Sequence, residues 1–292
     1  MVAVRPAAAV IGVAALMLAS GLTGATPAAA APVVGSCFDY PVATLEEISS
    51  PAAAIGCENP HTAETFAVRT LGEQFGPPSK ASVAAQLAAA SGCTVKAMNA
   101  YLGMPARVLP SRFRVATLFP TNAQWAAGER WVRCDAVLQS GLGLQRITGP
   151  GAAFVASVPQ ADLNFCTPST PSARNTAAVR CTNPKRNWIK VLEQRLGGPT
   201  ARFPGESSIL RRSALICQKI AKKYDGKVPY PGWWRINPTE TGWKLGKRSV
   251  QCFVPYQQYL KELAQNAPAP TPIPAPTPEP TPSTEPPPAP TA

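Results

Sequence analysis

A single histidine and eight cysteines bound what this chain can do chemically. His61 stands four residues after Cys57 and three before Glu64, in the stretch Cys57-Glu58-Asn59-Pro60-His61-Thr62-Ala63-Glu64. An imidazole beside a thiolate makes a nucleophile, and an imidazole beside a carboxylate makes a general base or part of a metal or polar-ligand site. Each reading carries a requirement. The Cys57/His61 pair needs a free thiol, and any serine triad must recruit His61, yet no Gly-x-Ser-x-Gly elbow accompanies it. No Cys-x-x-Cys occurs, so a zinc ribbon or thioredoxin-type centre has no ligand pattern. His61 and Glu64 are therefore candidate binding residues, and the plainer role for them is a hydrogen-bonded pair fixing the turn after Cys57. No catalytic residue, metal ligand set or cofactor is assigned.

The cysteines have an architectural alternative. Pro120 to Cys134 reads PTNAQWAAGERWVRC and Pro238 to Cys252 reads PTETGWKLGKRSVQC, sharing seven of fifteen residues in register. Cys93 precedes Cys134 by 41 positions and Cys217 precedes Cys252 by 35, while Cys57 and Cys181 each lie 36 further back. Cys37 and Cys166 complete two sets of four, which marks an internal repeat. The first residues read as a signal peptide over 1–31: Arg5, an apolar run from Ala7 to Leu22, then small residues from Ala28 to Ala31. An even cysteine count in an exported chain reads as a disulfide framework. Four cysteines per unit allow three pairings. Short separations favour Cys37 with Cys57, Cys93 with Cys134, Cys166 with Cys181 and Cys217 with Cys252, each contributing roughly 3–4 kcal/mol on the chain-entropy model.

The elements that must hold these residues follow the repeat. The expected fold is α+β, with two tandem small disulfide-bonded domains over 32–150 and 151–266, each a small antiparallel sheet with one main helix. A disordered Pro-rich tail over 267–292 extends about 80 Å at ~3.1 Å per residue. In the first unit, strands are expected at Gly35 to Phe38, Thr65 to Leu71 and Phe113 to Phe119, with a closing strand through Trp131, Val132 and Cys134. A helix is expected over Ala81 to Leu102, with Val83, Leu87 and Ala90 on one face. In the second unit, Asn183 to Leu196 reads as a strand. Ser207 or Ser208 should cap a helix whose inner stripe is Leu210, Ala214, Cys217, Ala221 and Tyr224. Strands at Trp233 to Ile236 and Arg248 to Val254 and a terminal helix at Tyr256 to Gln265 complete it. Within the repeated motif, Trp125 and Trp243 read as core plugs, Gly128 and Gly246 as positive-φ turn residues, and Arg130 and Arg248 as ties to backbone carbonyls.

Charge separates the halves. Lys and Arg outnumber Asp and Glu by nine to eight over 32–150 and by eighteen to six over 151–266. The basic excess therefore belongs to the second unit, and Lys219, Lys222 and Lys223 should face solvent opposite Cys217. Lys222, Lys223, Lys247 and Arg248 are the candidate contacts to an anionic cell-wall polymer or to membrane headgroups. Nucleic acid is excluded as a partner by export. No acidic residue recurs at aligned positions, which argues against a paired-carboxylate hydrolase built on the repeat, and the chain is read as a non-enzyme.

Gly-Ser-Cys-Phe at 35 to 38, Cys-x-x-Pro-His-x-x-Glu at 57 to 64 and Pro-Thr-x3-Trp-x2-Gly-x-Arg-x-Val-x-Cys at 120 to 134 resemble the septum-formation domain of actinobacterial envelope proteins. The resemblance covers the first unit well and the second in part, where Lys185 stands for the His and Trp188 for the Glu. It implies a secreted or extracytoplasmic, cell-envelope-associated protein linked to septum formation, with division or envelope-synthesis proteins as further partners. The alternative is an envelope hydrolase, or a regulator of one, that uses His61 and Glu64.

Overall fold

The computed structural model describes residues 31–79, 92–105, 109–172, 176–224, 232–244 and 246–265. Residues 1–30 of the expected signal peptide, the front of the expected Ala81 to Leu102 helix with Val83, Leu87 and Ala90, and the expected Pro-rich tail lie outside the described residues, and the helix that is described there starts at Val95 behind an N-cap at Thr94. The described chain is α+β, with two antiparallel sheets and four disulfides, Cys37–Cys57, Cys93–Cys134, Cys166–Cys181 and Cys217–Cys252. These are the pairings that short separation favoured.

The first sheet contains β1 (Cys37–Phe38), β2 (Ala54–Ile55), β3 (Ala63–Thr70), β4 (Phe113–Leu118), β5 (Trp131–Ser140) and β6 (Gly143–Leu144), in the order β2-β1-β3-β5-β4 with β6 on β5. The second contains β7 (Cys166–Thr167), β8 (Trp188–Arg195), β9 (Trp234–Ile236) and β10 (Ser249–Pro255), in the order β7-β8-β10-β9. Corresponding strands thus follow one order, β1-β3-β5-β4 in one sheet and β7-β8-β10-β9 in the other.

Strand β5 is buried on both faces, which is why its sequence shows no clean alternation. Cys134, Ala136 and Leu138 meet Met98 and Leu102 at α1 (Val95–Tyr101), and Val155 of the helix at Gly151–Ser157 closes the same core with Leu163. On its other face Val137 meets Phe38 and Tyr40. There Asp135, fully buried, accepts from Tyr40 Oη at 3.0 Å and Thr65 Oγ1 at 2.7 Å and pairs with Arg133 Nε at 3.1 Å. The elements just after Pro150 therefore pack on the first core, and the chain passes to the second near Asn164. Arg112, buried there, donates Nε to the Asp162 carbonyl at 2.9 Å and so holds this passing segment on the first core.

The repeated motif builds one-turn helices, α2 (Asn122–Ala126) and its counterpart at Glu240–Lys244, where turns were expected. The helices at Gly151–Ser157 (α3) and Gln160–Leu163 (α4) were not anticipated. In the second half, α5 spans Glu206–Ala221 and the motif helix Glu240–Lys244 is α6, with α7 at Tyr256–Gln265 as expected. The expected serine cap of α5 is corrected: Gly205 occupies the N-cap at φ +87°, and no side chain caps the helix. The inner stripe is also corrected, to Ile209, Ser213, Cys217 and Ala221, with Leu210 40% exposed. The Cys217–Cys252 bond sets the rotation of α5, and residues four apart from Cys217 share its face. Ser213, donating Oγ to the Leu210 carbonyl, hides that stripe from a hydrophobic-periodicity reading.

Candidate functional site

Strand pairing brings the candidate residues of the first half together. Cys37 of β1 lies opposite Glu64 of β3, and the Cys37–Cys57 bond pulls the turn before His61 onto the same strand pair. A sulfur of Cys37, a ring nitrogen of His61 and a carboxylate oxygen of Glu64 all lie within 4.8 Å of one another, and all three residues are buried. The expected His61–Glu64 hydrogen bond is replaced by separate partners. His61 Nδ1 is 2.9 Å from the Asn59 carbonyl, which can only accept, so Nδ1 carries the proton and its Nε2 is left buried with no partner among the described residues. Glu64 accepts from Tyr101 Oη at the end of α1 and from the backbone N–H of Gly151 at the start of α3. Burial, with Glu64 beside it, pushes the Tyr101 phenol well above its ordinary range, so Tyr101 is a fixed donor. Glycine gives Glu64 room there: a Cβ at Gly151 would crowd the Leu102 side-chain end at 2.8 Å and the Glu64 carboxylate at 3.0 Å.

This arrangement can hold a ligand atom between imidazole and carboxylate, but it gives no thiol chemistry in the disulfide-bonded state. The free-thiol form of the Cys57/His61 reading is thus overturned, because Cys57 is bonded to Cys37. The second half does not repeat the arrangement. Cys166 of β7 lies opposite Ile189 of β8, as Cys37 lies opposite Glu64. The strand register therefore places Ile189 where Glu64 stands, and Arg186 where His61 stands, one residue on from the sequence alignment that chose Trp188 and Lys185. The reason is an extra residue between Cys181 and β8, which no sequence motif marks. Arg186 lies over the Tyr256 ring at 4.5 Å and donates to the Asn183 carbonyl, as His61 does to Asn59.

The shared motif is structural in both halves. Thr121 Oγ1 caps α2, and Thr239 Oγ1 accepts from the Gly242 N–H at 3.0 Å. Trp125 and Trp243 are buried, Gly128 and Gly246 adopt φ of +93° and +82°, and Arg130 donates to the Trp125 carbonyl as Arg248 does to that of Trp243.

The candidate contact cations divide. Arg248 is 3% exposed and spans the Trp243 and Gly198 carbonyls, so it is removed from the contact surface. Lys247 pairs with Glu46 of the first half. Lys222 and Lys223 are exposed, as expected, and have no acidic partner among the described residues. With Arg211 and Lys219 they form an outward ridge along α5 and the turn that ends it, at spacings of three, four and eight residues, opposite Cys217. Leu215, 63% exposed, sits in its centre. Leu215 was not among the sequence candidates, because those were selected by charge alone. A groove of about 1010 Å³ opens beside this helix, with Phe203, Ile209, Asn237, Trp243 and Lys244 in its lining. Its walls come from α5, α6 and the segments before each, which are distant in sequence and left no linear signal.

Among the described residues, no helix is long and apolar enough to cross a membrane. A family model described as septum formation matches residues 34–252, more than half of the chain and both sheets. No curated protein and no solved structure matches it.

Proposed function

The chain belongs to the septum-formation family, and on that premise we propose that it is an exported, non-catalytic envelope module of the actinobacterial type that binds anionic envelope components through its basic second half. The observation that carries this is the α5 ridge: Arg211, Lys219, Lys222 and Lys223 point to solvent without acidic partners among the described residues, around an exposed Leu215. Cations held this way on a rigid helix attract a polyanion or an anionic headgroup layer, and an apolar side chain at their centre adds contact once they are close. Four disulfides are consistent with an extracytoplasmic location, since such bonds persist in oxidising compartments. The two halves are read as tandem copies over 32–150 and 151–266, the second divergent and its first two helices packed on the first core; the shared strand order and the equivalent disulfides support this. Burial of His61 and Glu64 favours the non-catalytic reading over the hydrolase alternative.

The test is cosedimentation with purified cell wall and, separately, with phosphatidylglycerol vesicles over a range of salt. With roughly 1 kcal/mol per cation at a charged surface, reversing Arg211, Lys219, Lys222 and Lys223 to Glu should lower affinity on the order of a thousandfold on whichever surface binds. The exposed control Lys96→Glu should change it little. Equal retention of the reversed protein on both surfaces overturns the proposal.

A further inference from the structure

We infer that opening the Cys37–Cys57 disulfide converts Cys37, Cys57, His61 and Glu64 into a binding site for a zinc-class divalent cation. The donors are already gathered: Cys37, His61 and Glu64 each offer an atom within 4.8 Å of the others, and Cys57 is held beside Cys37 by the bond itself. Four ligands about 2.0–2.3 Å from a tetrahedral ion lie roughly 3.3–3.8 Å apart, so side-chain adjustment suffices. Two sulfurs, one imidazole and one carboxylate are donors that suit zinc.

The supporting groups carry the inference further than proximity does. A metal-binding imidazole normally donates its other N–H to a carbonyl or carboxylate, which turns the free nitrogen lone pair to the ion. In His61, Nδ1 is held at the Asn59 carbonyl, which leaves Nε2 as the nitrogen free to ligate, buried and without a partner among the described residues. A binding carboxylate is likewise oriented by donors, and Glu64 has two, Tyr101 and the Gly151 N–H. The second half is an internal control, because the Cys166–Cys181 bond has Arg186 and Ile189 in the corresponding places.

The chemistry balances. A dithiol reductant transfers two electrons to the Cys37–Cys57 bond, leaving two thiols here and a cyclic disulfide on the reductant. Cation binding then releases the two thiol protons to solvent, and His61 and Glu64 complete the set. Reoxidation returns two electrons to an acceptor and expels the ion. Disulfide and metal are thus mutually exclusive states of one site.

Cobalt(II) is the probe, because a tetrahedral thiolate complex shows intense visible bands and a sulfur-to-cobalt charge-transfer band. In the full exported chain, Cys57→Ser frees Cys37 without any reductant. It should bind one cobalt ion with thiolate absorption that zinc displaces. Adding His61→Gln should weaken binding at least tenfold, and Cys181→Ser in the second half should give no thiolate band. Absence of the band in a Cys57→Ser protein that keeps wild-type near-UV circular dichroism overturns the inference, as does an equal band in Cys181→Ser or no effect of His61→Gln. If Cys57→Ser does not fold, wild-type protein opened at Cys37–Cys57 by one equivalent of phosphine, verified by peptide mass, decides by the same readouts.

Discussion

Replacing Asp135 by Ala is the sharpest test of how the first sheet is held. The carboxylate sits fully buried at the centre of β5, with Tyr40 and Thr65 hydroxyls donating to it and Arg133 paired 3.1 Å away. Burial pushes the Asp135 carboxyl up, while Arg133, Thr65 and Tyr40 pull the other way by favouring its charge. Arg133 is itself buried, lies 3.6 Å over the Phe38 ring and has an Nη2 with no hydrogen-bond partner among the described residues, so Asp135 is its main charge compensation. Removing one partner of a buried pair costs about 3–5 kcal/mol, because the other charge stays out of water unpaired. Two hydroxyls also lose their acceptor. Asp135→Ala should therefore lower unfolding free energy by about 3–5 kcal/mol, a large share of the ~5–15 kcal/mol of an ordinary domain. Arg133→Met with Asp135→Ala should recover at least half of that loss, since no charge remains buried. Urea unfolding of the disulfide-intact proteins, compared at equal slope, measures both. A single-mutant loss below about 1 kcal/mol, or strictly additive losses in the double mutant, would show that the pair does not anchor the sheet.

Two further outcomes follow from the same structure. Ile209→Ala should cost about 2–5 kcal/mol while Leu210→Ala costs well under about 1 kcal/mol, because only Ile209 is in the core; the reverse order in urea melts would restore the stripe read from sequence. The Arg146 guanidinium beside Asp39 holds its carboxyl below the usual range, so the pair adds stability above the unfolded value near pH ~3.9 that is lost as pH falls through the lower folded value. Asp39→Asn should flatten that acid limb in thermal melts; an unchanged limb would mean that the pair, being solvent-exposed, adds nothing measurable.

Much of the framework was legible because it rests on local or strongly typed signals. The repeated Thr, Trp, Gly and Arg report their own roles: a cap, a core plug, a positive-φ turn and a carbonyl tie are each a property of one residue type in one short stretch. Cysteine separations of 15 to 41 residues in an even set likewise reduced the pairing to three choices per half, and the structure holds the favoured one. Where a reading depended on rotation or register, it slipped by one residue. The inner face of α5 was misread because Ser213 is buried and Leu210 is not, and the counterpart of His61 was misread because an extra residue precedes β8.

By itself, then, the sequence determined an α+β chain with eight paired cysteines, a basic second half and a family signature, since composition and residue type suffice for these. Only the tertiary structure decided that Arg248 is a brace and Lys247 an ion-pair partner, that Asp135 anchors a buried network, and that His61 meets Glu64 and Cys37 across a strand pair. The physical reason is that burial and contact between residues tens of positions apart are set by strand register and helix rotation, and neither leaves a mark on the residues themselves.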